Sequence, residues 1–331
     1  MKKLSTFVLA VMMLFPASSL LTACSDDDDD TEEVINPEDN GDKDDEKGEG
    51  GDEGKDDGTD DNKKDSTEVD PNNPIIPQDV LEKVQEIYSA ATTGPQEVTT
   101  VNQLAIITSV CAARQVEGPI TITNASLNGE DMTLVTLGGT ENKEGQATTM
   151  EESQLAAFGK SNDYLLALKN LFTNGTIAAD KPVIVTGISL GGMIAQQILG
   201  ESEIVDNFSI RAVITFGSPF TLPLDRHGIK VVRFADVNDK VPQLGESVLR
   251  SGMVPVNGMS KEELNAKLNE LDKIEKISRQ SKYSGLIETH ALSYVEDECW
   301  SDVDFMGDAP KTNVLVLKED MKFYPAPKSK K

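Results

Sequence analysis

The chain has 331 residues, 31 Lys+Arg against 57 Asp+Glu, and a formal net charge of −26. An acidic chain without a basic run excludes nucleic acid as a partner, because phosphate contacts need clustered Lys and Arg. It also excludes charge-driven binding to anionic lipid. Three cysteines and two histidines leave no room for a disulfide framework or a Cys/His zinc site, so no metal and no cofactor is expected.

The charge is uneven. Residues 25–73 hold 23 acidic and 5 basic residues, a net −18; Lys2 and Lys3 give the first 24 residues +2, which leaves −10 on residues 74–331. After the basic start comes a mostly apolar stretch, Phe7 to Leu21. It is short for a membrane span and has the form of a secretory signal peptide. It ends in Leu21-Thr22-Ala23-Cys24, which resembles the lipobox of bacterial lipoproteins. The resemblance implies a signal peptide over 1–23 and an outer-membrane lipoprotein anchored through acyl chains on Cys24. Each buried CH₂ would contribute about 0.8 kcal/mol. Asp26 to Asp30, with Glu32 and Glu33, resemble the surface-export signal of some Gram-negative lipoproteins, which implies exposure on the cell surface. Residues 24–73 carry almost no apolar side chain, so a disordered acidic linker is expected. It would span about 35–42 Å r.m.s.. Its carboxylates lack the loop spacing of a calcium site.

Pro74 and Pro77 open the folded part, 74–331. Asp79 suits the N-cap of a helix to about Ala91, with Val80, Val84 and Ile87 on one face. A second helix is predicted over about 101–114. Ile120 to Thr123 and Met132 to Leu137 read as strands joined through Asn128-Gly129, a hairpin signal. Asp163 to Phe172 reads as a helix with Tyr164, Leu165, Leu168 and Phe172 in a stripe. Val183 to Thr186 reads as a buried strand, and Met193 to Leu199 as an apolar helix. Ala212 to Phe216 and Val231 to Phe234 are further buried strands. Ser260 to Ser278 reads as an amphipathic helix with a Ser260-x-x-Glu263 capping box. Val314 to Leu317 reads as a late strand. The alternation predicts an α/β fold, a mostly parallel central sheet flanked by helices.

The chemistry centres on Val183-Ile184-Val185-Thr186-Gly187-Ile188-Ser189-Leu190-Gly191-Gly192. This is G-x-S-x-G at a strand-to-helix turn, which exposes the Ser Oγ above the sheet and aims a helix N-terminus at the reacting carbonyl. A hydroxyl nucleophile needs a base. His227 sits in a polar loop and reads as a surface residue; His290 leaves room for strands and an acid in the order Ser, acid, His. Asp236 and Asp239 both follow the strand 231–234 and are both candidate acids.

Here the chain resembles class 3 (fungal-type) lipases, which have the α/β-hydrolase fold. Phe234-Ala235-Asp236-Val237-Asn238-Asp239-Lys240-Val241-Pro242 is similar to that family's Asn-x-x-Asp-x-Val-Pro stretch, although Asn238 and Asp239 are adjacent here. Thr215-Phe216-Gly217-Ser218-Pro219 resembles its Thr-Phe-Gly-x-Pro strand end, and Gly138-Gly139-Thr140 its oxyanion loop. His290, with Leu292 and Tyr294 after it, sits like its late histidine. The resemblance covers roughly residues 99–300. It implies a triad of Ser189, Asp239 and His290, with an oxyanion hole from the backbone N–H groups of Leu190 and Thr140. The Thr140 hydroxyl is a candidate third donor. Two positions depart from the family, Ile188 where it has His and Gly138 where it has Arg.

Glu141 to Met150 lies where the family keeps its lid, yet it is polar. Met253 to Val256 is the apolar alternative. Substrates are therefore expected to be short- to medium-chain esters. The expected partners are an ester or lipid substrate and the membrane through Cys24, with the protein a monomer. The expected activity is a membrane-tethered serine ester hydrolase, lipase or carboxylesterase. An inactive hydrolase-fold surface binding protein and an acyltransferase or thioesterase on the same triad are the alternatives. Cys111 and Cys299 form a candidate disulfide, suggested by an oxidising compartment and the even pair left after lipidation of Cys24.

Overall fold

The computed structural model describes residues 96–113, 118–141, 143–221, 227–243, 260–271, 274–296, 298–306, 312–317 and 320–329, with positions 82, 83, 86 and 89. The chain divides into two units, Met1–Val69 and Asp70–Lys331, and every described residue lies in the second. The signal segment, Cys24, the acidic linker, Met253 to Val256, the Cys111 side chain and most of the predicted helix from Asp79 lie outside the described residues. Residues 82, 83, 86 and 89 of that helix are helical.

Nine strands form one sheet among the described residues. They are β1 (Gln96–Val98), β2 (Ile120–Leu127), β3 (Glu130–Leu137), β4 (Val183–Ile188), β5 (Ile210–Phe216), β6 (Lys230–Asp236), β7 (Glu275–Arg279), β8 (Val314–Val316) and β9 (Lys322–Tyr324). The order is β1-β8-β2-β3-β4-β5-β6-β7, with β9 also on β2. The sheet is mixed rather than mostly parallel. Strands β3 to β7 run parallel, while β1, β2, β8 and β9 add antiparallel pairs. The helices are α1 (Val101–Ala113), α2 (Met150–Ala157), α3 (Asp163–Thr173), α4 (Leu190–Gln197), α5 (Ser202–Val205), α6 (Lys261–Leu271) and α7 (Leu286–Glu296).

The antiparallel start follows from its turn. Asn128 and Gly129 take φ of 49° and 89°, and a two-residue hairpin with φ positive at both positions matches strand twist. Strand β4 is buried at all six positions, as an interior parallel strand covered on both faces must be. Its side chains alternate between two cores. Val183 and Val185 join Leu165, Leu168 and Phe172 of α3 and Ile194 of α4. Ile184 and Ile188 join Leu104 and Ile107 of α1 and Leu292 and Val295 of α7.

The predicted helix over 260–278 is corrected. Its start forms the capping box, with Ser260 N–H donating to Glu263 Oε2 at 2.8 Å and Glu263 N–H to Ser260 Oγ at 3.2 Å. The helix ends at Leu271, and Glu275–Arg279 is strand β7, parallel to β6. Ile277 is the one apolar residue of this strand and is half-buried, with Lys276 and Ser278 exposed on either side. Pairing as a strand satisfies the edge of β6, which a helix would leave open.

Candidate active site

The parallel strands end on one side of the sheet, and Thr140, Ser189, Gly217 and Asp239 all lie just beyond the ends of β3 to β6. Open α/β sheets bind ligands at that edge.

Ser189 sits between β4 and α4 with φ 53° and ψ −121°. A non-glycine residue in that region is strained, and strain of this kind is found at functional turns. The turn is held by close backbone approach. A Cβ on Gly187 would lie 2.3 Å from the Gly191 carbonyl, and one on Gly191 would lie 2.2 Å from Leu137 O. Any side chain at either glycine would open the elbow. Ser189 N–H donates to Phe216 O at 3.0 Å, which ties the turn to the end of β5. Its hydroxyl makes no capping bond to α4 and is left for chemistry.

His290 lies on α7. With the proton on Nδ1, it donates to Asp239 Oδ2 at 2.8 Å. Asp239 is fully buried, while the His290 side chain keeps 16 % exposure. Both reach the end of β5. A Cβ on Gly217, whose φ is 58°, would lie 2.9 Å from Asp239 Oδ2 and 3.1 Å from His290 Cε1. His290 and Asp239 therefore stand one residue along from the carbonyl that anchors Ser189.

The acid is held from three sides. Val241 N–H donates to Asp239 Oδ1 at 3.0 Å. Tyr294 Oη–H donates to Oδ2 at 2.9 Å, and the same oxygen accepts Asp236 N–H at 2.9 Å. Tyr294 is one turn after His290 on the same helical face. Burial, then the Asp239 charge, pushes its hydroxyl well above the usual value, so it stays a donor. Its ring stacks on Trp300 at 5.6 Å, and Trp300 meets Phe234 edge-on at 5.8 Å. Asp236 plays a different part: Oδ1 accepts Asn238 N–H at 2.8 Å and closes the turn that delivers Asp239.

On the other side, a Cβ on Gly139 would lie 3.2 Å from Ser189 Cβ, which brings the 138–140 loop against the nucleophile. Tyr164 Oη–H donates to the carbonyls of Pro119 (3.0 Å) and Gly138 (3.2 Å), fixing the root of that loop. Among the described residues, the backbone N–H groups of Thr140 and Leu190 have no hydrogen-bond partner. The Thr140 hydroxyl, the candidate third donor, meets Ser153. Thr140 Oγ1 is 2.7 Å from Ser153 Oγ, and Ser153 gives its own proton to Thr149 O at 3.2 Å. The two hydroxyls are thus paired with each other within the protein.

Glu141 follows directly. Its Oε1 is buried without a hydrogen-bond partner, and burial pushes the carboxyl up to about 8, with Lys143 pulling the other way. His227 is exposed at φ 47°, away from the triad's elements. Among the described residues no group of three or more His, Cys, Asp and Glu could hold a metal ion. No helix there is long and apolar enough to cross a membrane.

Sequence reasoning missed the roles of Tyr294 and Ser153. The i+4 spacing from His290 was a usable signal for Tyr294; Ser153 offered none. Comparison of the chain with protein-family models, curated proteins and solved structures finds no match.

Proposed function

We propose that this protein is a serine ester hydrolase of the α/β-hydrolase type, a lipase or carboxylesterase. The observation that supports it best is the bond at 2.8 Å between His290 and the buried Asp239, set beside the strained Ser189 turn at neighbouring strand ends. Ser189 Oγ attacks the ester carbonyl carbon while His290 Nε2 takes its proton. Asp239 holds the imidazole tautomer and stabilises the imidazolium. The carbonyl oxygen becomes an oxyanion facing the unpartnered N–H groups of Leu190 and Thr140, each such donor typically worth about 3–4 kcal/mol. Collapse expels the alcohol, which leaves with the proton from His290. Water, deprotonated by His290, then cleaves the acyl-Ser189 ester and releases the acid. No cofactor enters. Lipidation at Cys24 and the acidic linker would tether this domain to the outer membrane, with short- to medium-chain esters as substrates.

A series of p-nitrophenyl esters of graded chain length tests the reading. Turnover should fall about 10⁴–10⁶-fold in Ser189→Ala with the fold intact. Equal turnover in the folded variant would remove the proposed nucleophile.

A further inference from the structure

The residues after β9 run along the loop that follows Thr140 and reach the starts of α2 and α3. Ala147 N–H donates to Ala326 O at 2.7 Å and Lys328 N–H to Gly145 O at 3.0 Å. Ala326 N–H donates to Gln146 Oε1 at 2.8 Å, and Gln146 and Pro327 form an antiparallel bridge. Lys328 Nζ pairs with Glu151 Oε2 at 2.6 Å, and Ser329 N–H and Oγ–H both donate to Asp163 Oδ2, at 2.7 and 2.8 Å. The junction is not a surface flap, since Ala147, Thr148 and Ala326 are at most 1 % exposed. Both ends of this network are anchored. Strand β9 pairs with β2 at Ile120–Ile122, and Glu141 N–H donates to Thr148 O at 2.9 Å, directly after the oxyanion residue.

If the 141–149 segment opened as a lid, it would break the three hydrogen bonds that join Gly145, Gln146 and Ala147 to residues 326 and 328, and expose a buried seam. Each net hydrogen bond favours the closed form about five-fold, so three favour it about 100-fold before the buried seam adds to it. A fixed loop does something else: it keeps one N–H at the place where an oxyanion forms. Misplacement by about 1 Å can cost about 100-fold in rate.

We propose that residues 326–329 are a permanent clamp that positions the Thr140 N–H, and that the 141–149 segment does not open, so the site accepts dissolved ester monomers directly. The catalytic part rests on the ester-hydrolase reading; the clamp itself does not.

The test is a reversible lock. Gln146 and Pro327 are Cα partners in an antiparallel bridge, a separation that a disulfide can span. In full-length Gln146→Cys/Pro327→Cys, verified by mass, the oxidised form should hydrolyse p-nitrophenyl butyrate at least as fast as the reduced form, which has lost the Gln146 Oε1 acceptor. An oxidised form that is inactive and regains activity on reduction would show that the segment is a lid and overturn the clamp. A second variant loosens it. Lys328→Pro removes the N–H to Gly145 and the ammonium to Glu151, and should lower kcat about 10–100-fold with KM within about threefold. The oxidised cysteine pair in the same chain should restore kcat. Unchanged kcat in Lys328→Pro would contradict positioning. Amide exchange decides without activity: the N–H groups of Glu141, Gln146 and Ala147, which have carbonyl acceptors, should be protected like β3 in the wild type and exchange faster in Lys328→Pro. Fast exchange in the wild type would sink the clamp even in a protein that hydrolyses nothing.

Discussion

Asp239 and His290 are held from beneath, by Tyr294 wedged among Trp300, Phe234 and Phe216, whereas Thr140 is held from the side, by hydrogen bonds running through Ser153 and through residues 326–329. The first arrangement uses close packing, which tolerates little change of volume. The second uses polar bonds, mostly backbone, and tolerates many side chains so long as the N–H and C=O groups still meet. The difference teaches where each half is vulnerable. The acid–base half should respond to changes in a few buried side chains. The oxyanion half should respond to prolines, loop insertions and a buried charge.

The largest effect should come from the acid itself. Asp239→Asn should lower kcat about 10⁴-fold, as loss of the orienting carboxylate does in other triads. Asp236→Asn keeps an oxygen for Asn238 N–H and should cost far less. Steady-state rates on one soluble ester decide it, and a reversed order would move the acid to Asp236.

Tyr294→Phe keeps the ring and deletes one hydroxyl. It leaves the Asp236 N–H without an acceptor and Asp239 with one donor fewer. A stability loss of about 1–3 kcal/mol is expected, read by urea denaturation. The kcat loss should be about tenfold, with KM little changed. An unaltered kcat would mean that Val241 N–H and His290 alone fix the carboxylate.

The oxyanion half carries the smaller, pH-dependent effect. Glu141 holds its proton more tightly folded than unfolded, up to about 8. Its contribution to stability is therefore complete below its ordinary range near 4.5 and is lost as pH rises through about 8. The slope in that window reaches at most about 1.4 kcal/mol per pH unit. Glu141→Gln should flatten it, and thermal melting from pH 4 to 9 would show the change. Above pH 8 the ionised carboxylate beside Thr140 should also disfavour the oxyanion, so the wild-type rate should fall there and the variant's should not. Parallel melting curves for the two proteins would place the Glu141 carboxyl in water.

Features fixed by local chemistry were legible in the sequence. The elbow is written in Gly187, Ser189 and Gly191 because only glycine permits that approach. Asn128-Gly129 and the Ser260–Glu263 box likewise name their own turn and cap. Asp239 was separable from Asp236 only through a family resemblance, since nothing local marks which carboxylate meets the imidazole. Strand β7 was misread because Leu264, Leu268, Leu271 and Ile274 carry a helical stripe up to it, and its one apolar residue, Ile277, is too weak a strand signal. The clamp and Ser153 were invisible: Gln146 and Pro327 are far apart in sequence, and backbone pairing leaves no mark on residue type. The helix carrying His290 was also missed, because its start at Leu286-Ile287-Glu288-Thr289 mixes exposed apolar and polar residues and shows no clean stripe.

The most direct measurement of the central claim is covalent labelling with a fluorophosphonate, which reacts with a serine only when a base activates it and an oxyanion hole receives the phosphoryl oxygen. In the folded wild-type protein the adduct should map by mass spectrometry to Ser189 and to no other serine, and should vanish in Ser189→Ala and fall sharply in Asp239→Asn. A folded wild-type protein that stays unlabelled at Ser189 would contradict the ester-hydrolase reading, however well the three side chains are aligned.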